Sequence, residues 1–190
     1  SAIQSRDFTE APVIYRVSSM LKGLDAPAYD ANRIAPKLHQ GSFPAPDEVD
    51  LRQHGLYALV LCANELQPPK ELYPGIVIIR APMDDIDGVE GSRSCVVANM
   101  ASAYVARLIR AGKRVLVTCA AGRNRSGLVT ALTLARLGWD PHAAVYQIQR
   151  CRKNALTNRF FREFALRTKV EDLTPENVAL GHRVLPVEKS

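Results

Sequence analysis

The stretch Val115-Leu116-Val117-Thr118-Cys119-Ala120-Ala121-Gly122-Arg123-Asn124-Arg125-Ser126-Gly127 decides the fold of this chain. Its first four residues are apolar or β-branched and suit a short buried strand. Residues 126–137 are apolar nearly all round and stop at Gly138, as expected of a helix in the middle of a domain. Between strand and helix lies a loop of small residues. Such a loop points several backbone N–H groups at one spot, and the helix dipole adds partial positive charge there. An oxyanion such as phosphate fits that spot. Ala120, Ala121 and Gly122 let the backbone close around the anion, with Gly122 free to take φ values that a Cβ resists. Arg123 and Asn124 complete the candidate binding loop.

The side chains that frame the loop suit chemistry on phosphorus. Cys119 stands where the positive field favours the thiolate, which is the nucleophilic form. Arg125, six residues on, can fork two N–H bonds onto phosphoryl oxygens and hold them in the equatorial plane of an in-line transfer, which lysine cannot do. The Ser126 hydroxyl can donate to the cysteine sulfur and ease its departure. A bare Cys-x5-Arg arises readily by chance. The strand before it, Gly122, the Arg-Ser-Gly ending and the buried helix after it make a structural cysteine with an unrelated arginine a poor explanation.

Composition bounds the rest. With 190 residues, 47% of them hydrophobic, the chain suits one domain able to bury its own core. Cys62, Cys95, Cys119 and Cys151 lie far apart and form no CxxC or Cys/His cluster, so the natural setting is a reducing cytoplasm and no metal is implied. His39, His54, His142 and His182 have no metal-ligand spacing. No run approaches the roughly 20 apolar residues needed to span a bilayer. The net charge of +6 is uneven: residues 113–169 hold twelve Lys/Arg against Asp140 and Glu163, so that segment is +10 and the remainder −4. Solvated helix faces account for most of this excess.

Along the chain, residues 1–32 read as an arm with a short helix at 13–21, residues 33–169 as the catalytic domain, and residues 170–190 as a tail. Strands are expected at 37–40, 57–62, 76–80 and 115–118. A short helix at 46–54 closes at Gly55. A long helix capped by Ser92 or Ser94 carries Val97, Met100, Tyr104, Leu108 and Ala111 at helical spacing and ends before Gly112. Asp140 and Pro141 open another helix, reaching about residue 153, and Phe160, Phe161, Phe164 and Ala165 mark a last one. Strands alternating with helices predict a single α/β domain, a central mixed sheet flanked by helices.

The loop resembles the His-Cys-x5-Arg-Ser/Thr signature of the dual-specificity, tyrosine-phosphatase-like cysteine phosphatases, seen here as Thr118-Cys119 through Arg125-Ser126. Lys37-Leu38-His39-Gln40-Gly41-Ser42 is similar to that family's opening strand, and Arg150-Cys151-Arg152-Lys153-Asn154-Ala155-Leu156-Thr157-Asn158 with Phe161 to its closing helices. The resemblance implies helices on both faces of the sheet and a two-step hydrolysis through a phosphocysteine, with no metal and no cofactor. It also implies an aspartate general acid before the cysteine, where Ala81-Pro82-Met83-Asp84-Asp85-Ile86-Asp87-Gly88 stands. A carboxyl group can protonate the leaving oxygen and later act as base toward water. The family's phasing favours Asp85, with Asp84 next and Asp87 third, against the plain reading of a solvated acidic turn. Asn158 orients a neighbouring loop by the same analogy, or simply caps a helix. Thr118 departs from the family's histidine, which puts the degree of thiol activation in question.

The resemblance implies a phosphorylated protein as substrate, at phosphotyrosine and also phosphoserine or phosphothreonine. Other phosphate esters stay open. The Asn124-Arg125-Ser126-Gly127 ending resembles the Asn-Arg-Thr-Gly of RNA 5′-triphosphatases, although no aromatic platform for single-stranded nucleic acid stands out. A phosphoinositide, with Arg123 as an added contact, also suits the loop, and so does a phosphate-binding module without catalysis. The oligomeric state is not legible.

Overall fold

The computed structural model describes residues 29–169 and 187–189. The run Ala58-Leu59-Val60-Leu61-Cys62-Ala63 has no polar side chain, and every position is buried, as in a strand covered on both faces. It forms β3 (Ala58–Ala63) and pairs in parallel with β5 (Val115–Thr118), Leu61 lying opposite Thr118. On the other side of β5 runs β2 (Leu38–Gly41), also parallel, with Gly41 opposite Thr118. β4 (Val77–Met83) continues the parallel set beyond β3. β1 (Ala31–Ala35) and β6 (Val187–Lys189) close the two edges antiparallel, in the order β1-β2-β5-β3-β4-β6. The register brings the carboxyl ends of β2, β5 and β3 to one level, where ligands of open α/β sheets bind.

Alternation sorts the strand residues into two cores. Val60, Cys62, Val117 and Cys119 face one side, where Ala98 and Val105 of α1 (Gly88–Arg110), Leu128 and Leu132 of α2 (Arg125–Arg136), Ile148 of α3 (Pro141–Cys151) and Phe161 of α4 (Arg159–Arg167) cover them. Leu59, Leu61, Leu116 and Ile78 face the other side, closed by Tyr29, Val49, Leu56, Tyr73 and Leu51 of the short 3₁₀ helix Leu51–His54. The α-helices thus share one face, where the resemblance implied helices on both: the opposite face is covered by loops and a 3₁₀ turn instead. α2 lies deepest: its buried Thr130 and Thr133 hydroxyls return to the carbonyls of Ser126 and Val129 at 2.9 and 2.7 Å, which satisfies them inside the apolar layer.

Several expectations change. β1 was not expected at all, because Asn32 and Arg33 interrupt its apolar pattern, and it starts the sheet at Ala31, inside the segment assigned to the arm. α1 begins at Gly88 behind Asp87, so Ser92 and Ser94 lie within the helix and do not cap it. The expected helix at 46–54 shrinks to a 3₁₀ turn, its end still closed by Gly55 at φ 68°. The Asp140 carboxylate accepts from the Ala143 N–H at 3.0 Å and Pro141 follows it, as expected, but α3 ends at Cys151. The helix expected at 13–21 and most of the tail fall outside the described residues. Among the described residues no helix is long and apolar enough to cross a membrane.

His39 on β2 is buried, and burial first, then the charges of Arg114 and Arg33, push its pKa down to about 3. In the unfolded chain an imidazole takes its proton at roughly pH 6.5. Between these values only the unfolded state binds the proton, so this group removes stability as pH falls from the upper value toward the lower. His39→Gln should flatten the acid limb of stability by up to about 1.4 kcal/mol per pH unit. Urea titrations at a series of acidic pH values measure that slope, and a slope equal to that of the wild type would contradict a neutral buried His39.

Candidate active site

β5 carries Cys119 to the carboxyl edge of the sheet, and the chain turns through residues 120–124 into α2, whose first residue is Arg125. Gly122 takes φ 65°, and a Cβ there would lie 2.2 Å from the carbonyl carbon of Gly41, so only glycine lets the loop seat against the end of β2. The loop is tied down from outside. The Ala120 carbonyl accepts from the Phe43 N–H at 3.2 Å, the Arg123 carbonyl from the Leu156 N–H at 3.2 Å, and the Gly122 carbonyl from Gln40 Nε2 at 3.1 Å.

Cys119 is 4% exposed, and its Sγ lies 3.2 Å from Oγ of the fully buried Ser126. Thr118, where the signature has histidine, spends its hydroxyl on the Val60 carbonyl of β3 at 2.8 Å and so bonds strand to strand. All four cysteines are free thiols. Burial pushes the Cys62 thiol up well beyond the usual range, with the neighbouring Cys119 adding to the rise, and pushes Cys95 up to about 12. Both are core residues. Cys151 is also raised by burial and receives a hydrogen bond from Gln147 Nε2 at 3.4 Å.

Arg125 projects back over the loop and meets a partner that sequence reasoning missed. Its Nη1 and Nη2 donate to the two carboxylate oxygens of Glu65 at 2.6 and 2.7 Å, and Nη1 also donates to the Met83 carbonyl at 3.1 Å. Burial disfavours the charged guanidinium, but the bonds to Glu65 and the negative groups around it outweigh that, so the Arg125 pKa rises. The same pairing holds the Glu65 carboxyl below its usual range. The Arg125 Nε–H, buried, has no acceptor among the described residues, and so it is a donor available to an anion. The only signal for Glu65 in the sequence was an acid just beyond the end of a buried strand.

The acidic loop after β4 separates its three aspartates. Asp85 reaches the loop after β5: its Oδ2 accepts from Asn124 Nδ2 at 3.0 Å and its Oδ1 from Asn158 Nδ2 at 2.8 Å. Asp84 turns aside to Asn64 Nδ2 at 3.3 Å, while its backbone N–H and carbonyl are both bonded to the buried Ser94 hydroxyl, at 3.1 and 3.0 Å. Asp87 is the N-cap residue of α1. Asn124 Oδ1 accepts the Asn158 N–H at 2.9 Å and the Thr157 hydroxyl at 3.3 Å, so its side chain holds the acidic loop and the turn before α4 instead of pointing at an anion. Asn158 also caps α4 by accepting the Phe161 N–H at 3.1 Å, so both expected roles fall on one residue. Arg123 stands exposed at the lip.

This architecture has solved counterparts. Human DUSP28 superposes with a TM-score of 0.59 and 26% identity, over 70% of this chain and 88% of that one. A mouse dual-specificity phosphatase complexed with zinc tungstate gives 0.63 and 21%, over 86% and 96%. OH1 of Orf virus, a tyrosine phosphatase with triple substrate specificity, gives 0.60 and 22%, over 75% and 88%. The chain has the dual-specificity phosphatase fold. No protein-family model and no curated protein matches it.

Within this phosphatase fold the bidentate contact between Arg125 and Glu65 sets the plane of the guanidinium, and Glu65 is itself half exposed. Removing its carboxylate leaves Arg125 only the Met83 carbonyl and frees it to rotate. Glu65→Ala should therefore weaken tungstate binding about 10-fold, one charge-assisted hydrogen bond's worth of alignment, and should also lower the urea midpoint, since it leaves a buried guanidinium without its carboxylate. Calorimetric titration with tungstate tests this. Unchanged affinity would mean that Arg125 orients itself without Glu65.

Proposed function

We propose that this protein is a cysteine-dependent phosphatase that hydrolyses phosphate monoesters through a phosphocysteine, acting on phosphotyrosine and also phosphoserine or phosphothreonine in proteins. The observation that carries the reading is a convergence. The Cys119 sulfur, a glycine-shaped loop at a helix N-terminus, a buried guanidinium with a spare N–H, and the Asp85 carboxyl meet at one edge of the sheet.

In the first step the Cys119 thiolate attacks phosphorus in line, forming the S–P bond as the P–O bond to the leaving group breaks. Loop amides and Arg125 hold the three equatorial oxygens. Asp85 supplies the proton that the departing oxygen takes up. In the second step Asp85, now a carboxylate, removes a proton from water, which attacks phosphorus and expels the Cys119 sulfur. Ser126 lies where its hydroxyl can donate to that sulfur as negative charge returns. Asp85 takes the acid role ahead of Asp84 because Asp85 bonds to Asn124, one residue before Arg125, whereas Asp84 faces Asn64. The buried, unpaired thiols suit a reducing compartment, the cytoplasm.

Cys119→Ser should abolish turnover of para-nitrophenyl phosphate yet keep tungstate binding, because the amide cradle and Arg125 are untouched; Arg125→Lys should lose both. Near-native turnover by Cys119→Ser would sink the mechanism. Asp85→Asn should lower kcat by about 10² to 10⁴ on substrates with poor leaving groups, with the loss shrinking as the leaving group improves. Asp84→Asn should leave that dependence on leaving-group pKa unchanged. If Asp84 changes the slope and Asp85 does not, the roles are exchanged. Phosphopeptides, phosphoinositides and 5′-triphosphorylated RNA assayed side by side test the substrate class, and preference for either of the latter two overturns the phosphoprotein assignment.

A further inference from the structure

A peptide unit is planar, and its C=O and the N–H that follows point in opposite directions. An oxyanion cradle of backbone N–H groups therefore requires that the carbonyls preceding them be turned outward and held there. Carbonyls crowded at one site repel one another, and a buried carbonyl must find a donor. Residues 120–124 need such donors on the side away from the anion.

Arg152 supplies two of them, to adjacent carbonyls. Its backbone N–H caps the end of α3 on the Ile148 carbonyl, which places the side chain beneath the loop, where it is 5% exposed. Nη2 donates to the Ala121 carbonyl at 2.8 Å, and Nε donates to the Gly122 carbonyl. The Gly122 carbonyl also takes Gln40 Nε2. By peptide geometry the N–H groups of Gly122 and Arg123 then face the opposite way, into the cradle. The remaining donors are also committed. Nη1 bonds Asp30 Oδ1 at 3.0 Å and Asn32 Oδ1 at 2.9 Å, and the second Nη2 proton goes to Asp30 Oδ2 at 2.8 Å. A guanidinium has five N–H groups, and here five acceptors meet them. None is left for a substrate.

We propose that Arg152, anchored by Asp30, is the positioning residue of the oxyanion cradle: it fixes the Ala121 and Gly122 carbonyls outward and so aims the Gly122 and Arg123 N–H groups at the phosphoryl oxygens. The inference rests on the phosphatase reading of the site. Asp30 has two tasks in it. It fixes the plane of the guanidinium bidentately, and it balances a buried positive charge that would otherwise compete with Arg125 for the anion. The Arg152 pairing in turn holds the Asp30 carboxyl below its usual range. Lysine cannot replace Arg152, since a tetrahedral ammonium with three donors does not bridge two adjacent carbonyls and a carboxylate.

The test uses the full chain with Arg152→Lys, Arg152→Met and Asp30→Ala. For each variant, urea unfolding, calorimetric tungstate binding and the kinetics of para-nitrophenyl phosphate and poorer-leaving aryl phosphates are measured. Both Arg152 variants should bind tungstate about 10- to 100-fold more weakly, the equivalent of one to two misaligned charge-assisted bonds. KM should rise in step, while the leaving-group dependence set by Asp85 stays as in the wild type. Asp30→Ala, at a side chain 65% exposed, should keep the fold and show the same loss in smaller measure. If the Arg152 variants fail to fold, Asp30→Ala alone decides. Variants that lower the urea midpoint but bind tungstate as the wild type does would give Arg152 a merely structural role and overturn the proposal. A wild type that binds no tungstate and turns over no phosphate ester overturns the phosphatase reading itself.

Discussion

Beneath the loop that joins β5 to α2, three pieces of backbone lie in direct contact, packed against one buried guanidinium. Gly122 rests on the main chain of Gly41, where an added Cβ would be 2.2 Å from a carbonyl carbon. Gly41 in turn rests on Asp30 and Ala31, where a Cβ would meet atoms at 2.7 Å. Behind Gly122 lies the Arg152 guanidinium, 2.6 Å from that hypothetical Cβ. This stacking joins the start of β1, the end of β2, the loop after β5 and the end of α3. Any side chain at either glycine would push the loop off the sheet and spread its amides.

Electrostatics follows the same pattern. Two guanidiniums are buried beside a thiol, and a buried charge without a partner is costly. Each is matched to a carboxylate at the protein surface, Arg125 to Glu65 and Arg152 to Asp30. The acids keep water on one side while the arginines stay rigid on the other. What remains to attract an anion is directional: the spare Nε–H of Arg125, the loop amides and the N-terminal end of α2. Donors fixed before the anion arrives need no reorganisation during reaction, which is the arrangement that favours charge developing in a transition state.

The acidic loop and the turn before α4 act as one unit with this cradle. Asp85, Asn124, Thr157 and Asn158 bond to one another across three separate elements, and Ser94 of α1 grips both backbone groups of Asp84. The turn at 152–158 passes through left-handed backbone at Asn154 and Leu156, at φ 63° and 54°. Leu156 is fully buried there and closely approaches Gly127 of α2. Its backbone strain is offset by the bonds that the turn makes to the loop.

Much of this was legible in the amino-acid sequence. The strand at 115–118, the buried helix after it, the Asp140-Pro141 helix start and the α/β plan with a central mixed sheet follow from local hydrophobic period and capping chemistry, which act over a few residues. Cys119, Arg125 and Ser126 are legible for the same reason: loop and helix start are contiguous, so spacing alone brings their groups together. β1 was hidden because its pattern is broken by Asn32 and Arg33, and its strand character comes from pairing with β2. Ser94 had the composition of a cap, yet tertiary packing placed it nearly two turns inside a helix and gave it the Asp84 backbone instead. Glu65, Asp30 and Arg152 carry no local signal. Their partners lie 60, 122 and 31 residues away in the chain, and only closure of the sheet around β5 brings those charges within hydrogen-bonding reach.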